Sequence, residues 1–279
     1  MDFQNTLDSP HLFWLGLLST LGIPLGFWYY GRLTMRLRRE GGEVSTGALG
    51  MPDLIASAVL ATFLAVMALA AFHQSSQGEL VMNRDVVLAG GGFQVGLVAI
   101  VAIFLAVRRV RMRDVVHPGQ LSLAGVVWQS VIMLVCAIPV VLAFGVVTYL
   151  LPKDMRAEQE MVKLFQDVSS AGNFEMIILI SLTAVIVAPI CEEFIFRGYF
   201  YPIWKRYFGA AGSAVLASTL FALMHANLAS LPALFALAMC FTLAFEATGS
   251  LAVPVIMHAL FNGLNLAMLY LRAHGMVTL

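Results

Sequence analysis

Charge is scarce in this sequence. Only 11% of its 279 residues are Asp, Glu, Lys or Arg, while 60% are hydrophobic, and the mean hydropathy is +0.88. Soluble domains carry roughly 25% charged residues, so a water-soluble globular fold is excluded and the chain reads as an integral membrane protein. Cysteine is scarce as well. Cys136, Cys191 and Cys240 all lie in apolar runs, with no paired spacing and no CxxC. That argues against a disulfide framework and against a cysteine-rich zinc site. The chain has no internal repeat and no low-complexity tract. Its net charge is zero, and its arginine clusters read as topology signals, so no nucleic-acid partner is expected.

Apolar runs, by contrast, are abundant. A membrane-spanning helix takes about 20 mostly apolar residues. Such runs fall at roughly 11–31, 52–73, 86–107, 123–150, 175–197, 211–229, 231–246 and 251–271. They predict an all-α, polytopic transmembrane helix bundle of about eight spans, or seven if the short seventh run does not cross. The first run is not a cleavable signal peptide, because "MDFQNTLDSP" ahead of it is acidic and lacks a basic region. Lys and Arg in short loops mark the cytosolic side. "RLTMRLRR" (32–39), "RRVRMR" (108–113) and Lys205 with Arg206 share one side on this reading. The N-terminus and the polar stretch 152–175 are then extracytoplasmic. In that stretch Met155, Met161, Val162, Phe165 and Val168 recur at mostly helical spacing, predicting an amphipathic surface segment near 153–170. "GGG" at 90–92 sits inside a run rather than after a strand, so it signals close helix packing and not a phosphate loop.

The informative residues are the few charges that interrupt the apolar second half. "APICEEFIFRGYF" (188–200) places Glu192, Glu193 and Arg197 in one span. Ionisable groups inside spans cost roughly 2.5–3.5 kcal/mol each and face a bundle interior or a wet cavity. Glu193 and Arg197 are four residues apart and form a helical acid–base pair. Glu192 points about 100° away, free for chemistry. Pro189 removes a backbone hydrogen bond just before them. "FALMHAN" puts Phe221 and His225 on one helical face, and "HALFNGLN" puts His258, Asn262 and Asn265 on one stripe. Alone, each pattern is equally well read as a salt bridge or an interhelical hydrogen bond. Together, a carboxylate, two imidazoles and an amide form a set that can activate water and stabilise an oxyanion. A glutamate with two histidines also matches the ligand types of a catalytic zinc.

EExxxR at 192–197, FxxxH at 221–225 and HxxxN at 258–262, in this order on successive apolar helices, resemble the CPBP intramembrane protease family. That family includes the type II CAAX prenyl endopeptidases and bacteriocin-processing or self-immunity (Abi-like) proteins. The resemblance covers about 120–272. It implies a CPBP-like protease domain at 121–279, preceded by an N-terminal three-span extension at 1–120 without a recognised motif. It further implies an endopeptidase of the cell membrane, acting on a membrane-associated protein or peptide, prenylated or not. Glu192 is then the general base with His225 beside it, His258 and Asn262 are the oxyanion donors, and Glu193 and Arg197 are structural support. The family has been described both as metalloproteases and as metal-free glutamate proteases, so one zinc ion on Glu192, His225 and His258 stays open. Its substrate cavity is expected to open toward the cytosolic leaflet or sideways to lipid. HExxH, GxSG and GxGD, the marks of other intramembrane proteases, are absent. The alternatives are an ion- or proton-coupled transporter, for which no inverted repeat is visible, and a non-catalytic membrane scaffold or immunity protein.

Overall fold

The computed structural model describes residues 21–76 and 83–277. Among these the chain is all-helical, with one isolated extended pairing, between Pro118 and Ser250. The helices are α1 (Ile23–Glu40), α2 (Met51–Ser76), α3 (Arg84–Val107), the single turn α4 (Arg113–Val116), α5 (Leu123–Gly145), α6 (Glu160–Ser170), α7 (Phe174–Leu223), α8 (Leu231–Thr248) and α9 (Ala252–Ala273). Part of the first expected span, up to position 20, lies outside the described residues; α1 carries the remainder and runs on through the arginine cluster. Among the described residues, six helices are long and apolar enough to cross a bilayer. Counting α1 and the two limbs of α7 separately gives a number close to the expected eight.

Local chemistry sets several boundaries. Asn83, Ser122 and Asn173 each cap a helix by accepting from the backbone N–H three residues on, satisfying donors that a helix start leaves open. The bundle then closes around α5, which packs on α1, α8 and α9. Tyr30, Leu33, Met133, Phe241 and Met257 are buried together in that core. A second core joins α2 and α3 to α7 through Leu64, Val101, Leu105, Phe200 and Phe221. The N-terminal helices therefore pack directly on the motif-bearing half. The amphipathic segment is helical as α6, and its Phe165 is buried against Val87, Met176 and Ile180.

The two ends of the bundle are chemically distinct. At one end, Glu43 donates its N–H to the Glu246 carbonyl, and Ser45 donates to Nε2 of His117. Lys205 reaches both the Val44 carbonyl and, at 2.5 Å, the Glu246 carboxylate, and Arg206 donates to the Leu49 carbonyl. The clusters 32–39 and 108–113 belong to this end. At the other end, Arg84 pairs with Glu175 at 3.1 Å, Thr148 bonds Ala229, and Gln159 bonds Ser230.

The largest departure from the sequence reading concerns α7. Span five does not end at 197. The helix continues unbroken through the buried Tyr199, Tyr201 and Trp204 to the arginine-rich end. It turns back only at Gly209, where φ is 73° and ψ 167°, a region essentially restricted to glycine. Phe196 and Phe221 then meet across the bend with ring centroids 5.2 Å apart. Straight consecutive spans would separate Glu192 from His225 across the bilayer. The bend removes the conflict: Glu192 is 17 residues before Gly209 and His225 is 16 after it, so at 1.5 Å per residue both stand about 25 Å from the bend.

Candidate active site

The glutamate pair sits on a short α-helical piece, Ala188–Glu193, bracketed by two π turns, Thr183–Val187 and Phe194–Phe200. Pro189 has no N–H to give the Val185 carbonyl, and the turn containing Val185 is correspondingly wide. Within the second wide turn, Gly198 lets Val115 and Leu251 approach to 3.4 Å of where a Cβ would stand. Both turns change the phase of α7 next to its charged residues.

Glu193 and Arg197 are fully buried and pair at 2.9 Å. Arg197 also donates to the Ala238 carbonyl at 2.8 Å and to Thr242 Oγ1 at 3.4 Å. Its guanidinium lies over the rings of Phe221 and Phe241, at 4.9 and 5.4 Å, so cation–π contacts complete its desolvated shell. The same Glu193 Oε1 takes Nδ1 of His258, also at 2.9 Å. Because a carboxylate only accepts, Nδ1 carries a proton. Glu193 thus does more than face Arg197, the partner expected from spacing: it also fixes the His258 ring, which stacks on Phe241 at 5.2 Å.

Glu192 looks elsewhere. Its Oε1 accepts from Gln94 Nε2 at 3.0 Å. Its Oε2 is buried without a hydrogen-bond partner and lies 3.9 Å from His258 Nε2, beyond direct hydrogen-bond reach. Glu192 and His258 line one cavity of about 950 Å³ with His225, Asn262, Asn265 and Gln94. His225 Nδ1 is 2.9 Å from the Phe221 carbonyl; since a carbonyl only accepts, Nδ1 donates and Nε2 is left for the cavity. Asn262 gives one amide hydrogen to the Ala184 carbonyl at 2.7 Å, inside the first wide turn. Asn265 spends its amide on the Phe261 carbonyl.

The cavity also reaches Arg156, Glu158, Asn227 and Arg272, at the end away from the arginine clusters. Gln94 escaped the sequence reading because a lone glutamine in an apolar span carries no periodic signal. One was nonetheless present: it is the sole polar side chain between Asp85 and Arg108. Among the described residues, no three His, Cys, Asp or Glu side chains gather so as to hold a metal ion. Glu192, His225 and His258, the zinc set left open above, do not fit that role as arranged.

A carboxylate, two imidazoles and an amide thus line one cavity of a multi-pass helix bundle, and the comparisons with known proteins bear on what such a chain is. Residues 174–264 match the family described as type II CAAX prenyl endopeptidase Rce1-like. The "Uncharacterized 24.3 kDa protein" of Escherichia coli is 35% identical over 215 residues, covering 70% of this chain and 90% of its own. The "Membrane-embedded CAAX protease MroQ" of Staphylococcus aureus (strain USA300) is 36% identical over 87 residues, 28% of this chain and 34% of the relative. No solved structure matches. The chain belongs to the CPBP intramembrane protease family.

Proposed function

We propose that this protein is an endopeptidase that hydrolyses a peptide bond of a membrane-associated protein or peptide with water activated by Glu192. The observation that carries this reading is the carboxylate itself. One oxygen is held by Gln94, and the other is free, buried and 3.9 Å from His258 Nε2 inside a cavity of about 950 Å³. A water 2.8 Å from both of those atoms subtends an angle of roughly 90°, so one water can touch base and imidazole together.

In the proposed reaction, Glu192 Oε2 takes a proton from that water, with Nε2 of His225 assisting. The water oxygen bonds to the substrate carbonyl carbon. The resulting oxyanion is stabilised by His258 Nε2–H and by the second amide hydrogen of Asn262. His258 makes this donation with both ring nitrogens protonated, its Nδ1–H being held by Glu193. The proton held by Glu192 passes to the leaving nitrogen as the C–N bond breaks. Every step runs through side chains of this chain.

The arginine-rich end faces the cytosol under the positive-inside rule. The cavity is then entered from the opposite leaflet or sideways from lipid, below α6. The test is cleavage of matched prenylated and unprenylated membrane-anchored peptides by the purified protein in lipid. Glu192→Gln should abolish cleavage with expression and folding unchanged, and full retention of proteolysis would remove Glu192 from the mechanism.

A further inference from the structure

We infer that Gln94 is a positioning residue for the catalytic carboxylate, so that the N-terminal helices complete an active site whose motif residues all lie within 174–264. The inference rests on the reading of Glu192 as base. Gln94 comes from α3, outside the matched segment. It is the one polar side chain in 22 successive residues of that helix, 86–107, and it stands where α3 meets the 188–193 piece of α7. A primary amide in an apolar span is costly unless bonded, and its nitrogen is bonded to Glu192 Oε1 at 3.0 Å.

The consequence for Glu192 is directional. A carboxylate has two equivalent oxygens and a broad, roughly two-fold terminal torsion. With Gln94 donating to Oε1, the pair loses that equivalence. Oε2 becomes the free oxygen and is the one nearest His258 Nε2. The other polar groups around Glu192 are each held by a bond elsewhere. Glu193 and Arg197 are engaged with each other, and His258 gives Nδ1 to Glu193. Asn262 donates to Ala184, and His225 Nδ1 is taken by Phe221. Without Gln94, the carboxylate is free to rotate away from the bound water. Loss of a hydrogen bond to a charged group in a reacting geometry corresponds to about 10- to 100-fold in rate.

Two variants separate donation from packing. Gln94→Met keeps length and bulk without polarity, and Gln94→Leu removes the donor with a differently shaped side chain of similar volume. Both should lower kcat about 10- to 100-fold with KM and the thermal midpoint near wild type. The antisymmetric carboxylate stretch of Glu192, identified as the infrared band lost in Glu192→Gln, should move in Gln94→Met even where turnover is not followed. Wild-type kcat in Gln94→Met, a loss of rate that merely tracks a fall in thermal midpoint, or an unmoved carboxylate band would each overturn the inference. Failure of the underlying reading looks different: Glu192→Gln would still cleave, whatever Gln94 does.

Discussion

Replacing Glu193 by glutamine, read by unfolding rather than by turnover, tests the buried ion pair. Both side chains of the Glu193–Arg197 pair have 0% exposure. Glutamine keeps an acceptor oxygen for Arg197 and for His258 Nδ1, so the hydrogen bonds survive while the negative charge goes. Arg197 is left with a carbonyl, a hydroxyl and two aromatic faces, none of which neutralises a cation. Breaking a buried pair in this one-sided way costs about 3–5 kcal/mol, a large share of the 5–15 kcal/mol typical of a folded protein. Arg197→Met, which strands the carboxylate instead, should cost a similar amount. The double variant should lose clearly less than the sum of the two, with a coupling of roughly 2–3 kcal/mol. Reversible unfolding in mixed micelles, read by tryptophan fluorescence, gives all three values. A Glu193→Gln loss under about 1 kcal/mol, or strictly additive singles, would refute the idea that the pair is held by charge in a dry site.

Four further outcomes are expected. Asn262→Ala should lower kcat by about 10²–10³ with little change in KM, as for an oxyanion donor; single-turnover cleavage checks this. Gly209→Ala meets no atom within 4 Å of the new Cβ, so its cost is conformational alone, on the order of 1–3 kcal/mol, measurable by the same unfolding assay. Cysteines at positions 36 and 160 should react with impermeant reagents from opposite sides of sealed vesicles, and equal reactivity would reverse the topology argument. Proteolysis should survive chelators, with no gain from added zinc; loss on chelation and recovery with zinc would restore the metal reading of Glu192, His225 and His258.

The residues of the candidate site were legible because ionisable groups stand out against apolar helices, and three short motifs on three helical stretches located them. The helix class and the amphipathic segment followed from run length and spacing. The path of α7 followed only in part: bringing Glu192 and His225 together calls for an elbow within 198–212, but does not say where or how it turns. "YFGAAGS" around Gly209 is small and apolar, and nothing in its composition separates a packed helix from a reversal; the difference lies in one backbone torsion. The wide turns are invisible for the same reason, since Thr183–Val187 reads as ordinary helix. The second bond of Glu193 was hidden too, because spacing within one helix reveals Arg197 but not His258, which is 65 residues away. Gln94 is a contact between distant helices, and nothing in a single sequence ties 94 to 192.

The two π turns carry a consequence for how this helix tolerates insertions and deletions. Each wide turn holds one residue more than an α-helical turn, and one residue is about 100° of rotation. Deleting a single residue within 183–187 would restore regular geometry at no cost in helix propensity. It would also turn 174–182 by that angle relative to the segment bearing the glutamates. If packing of 174–182 on α3 and α6 held that upper piece in place, the lower piece would have to rotate instead. The angle equals the separation of Glu192 and Glu193, so Glu193, still paired with Arg197 four residues on, would face the cavity where Glu192 now stands, and Glu192 would turn to the place of Cys191. The reading frame of the site is thus written in helical phase, and a one-residue indel several turns away acts on it as directly as a substitution of either glutamate.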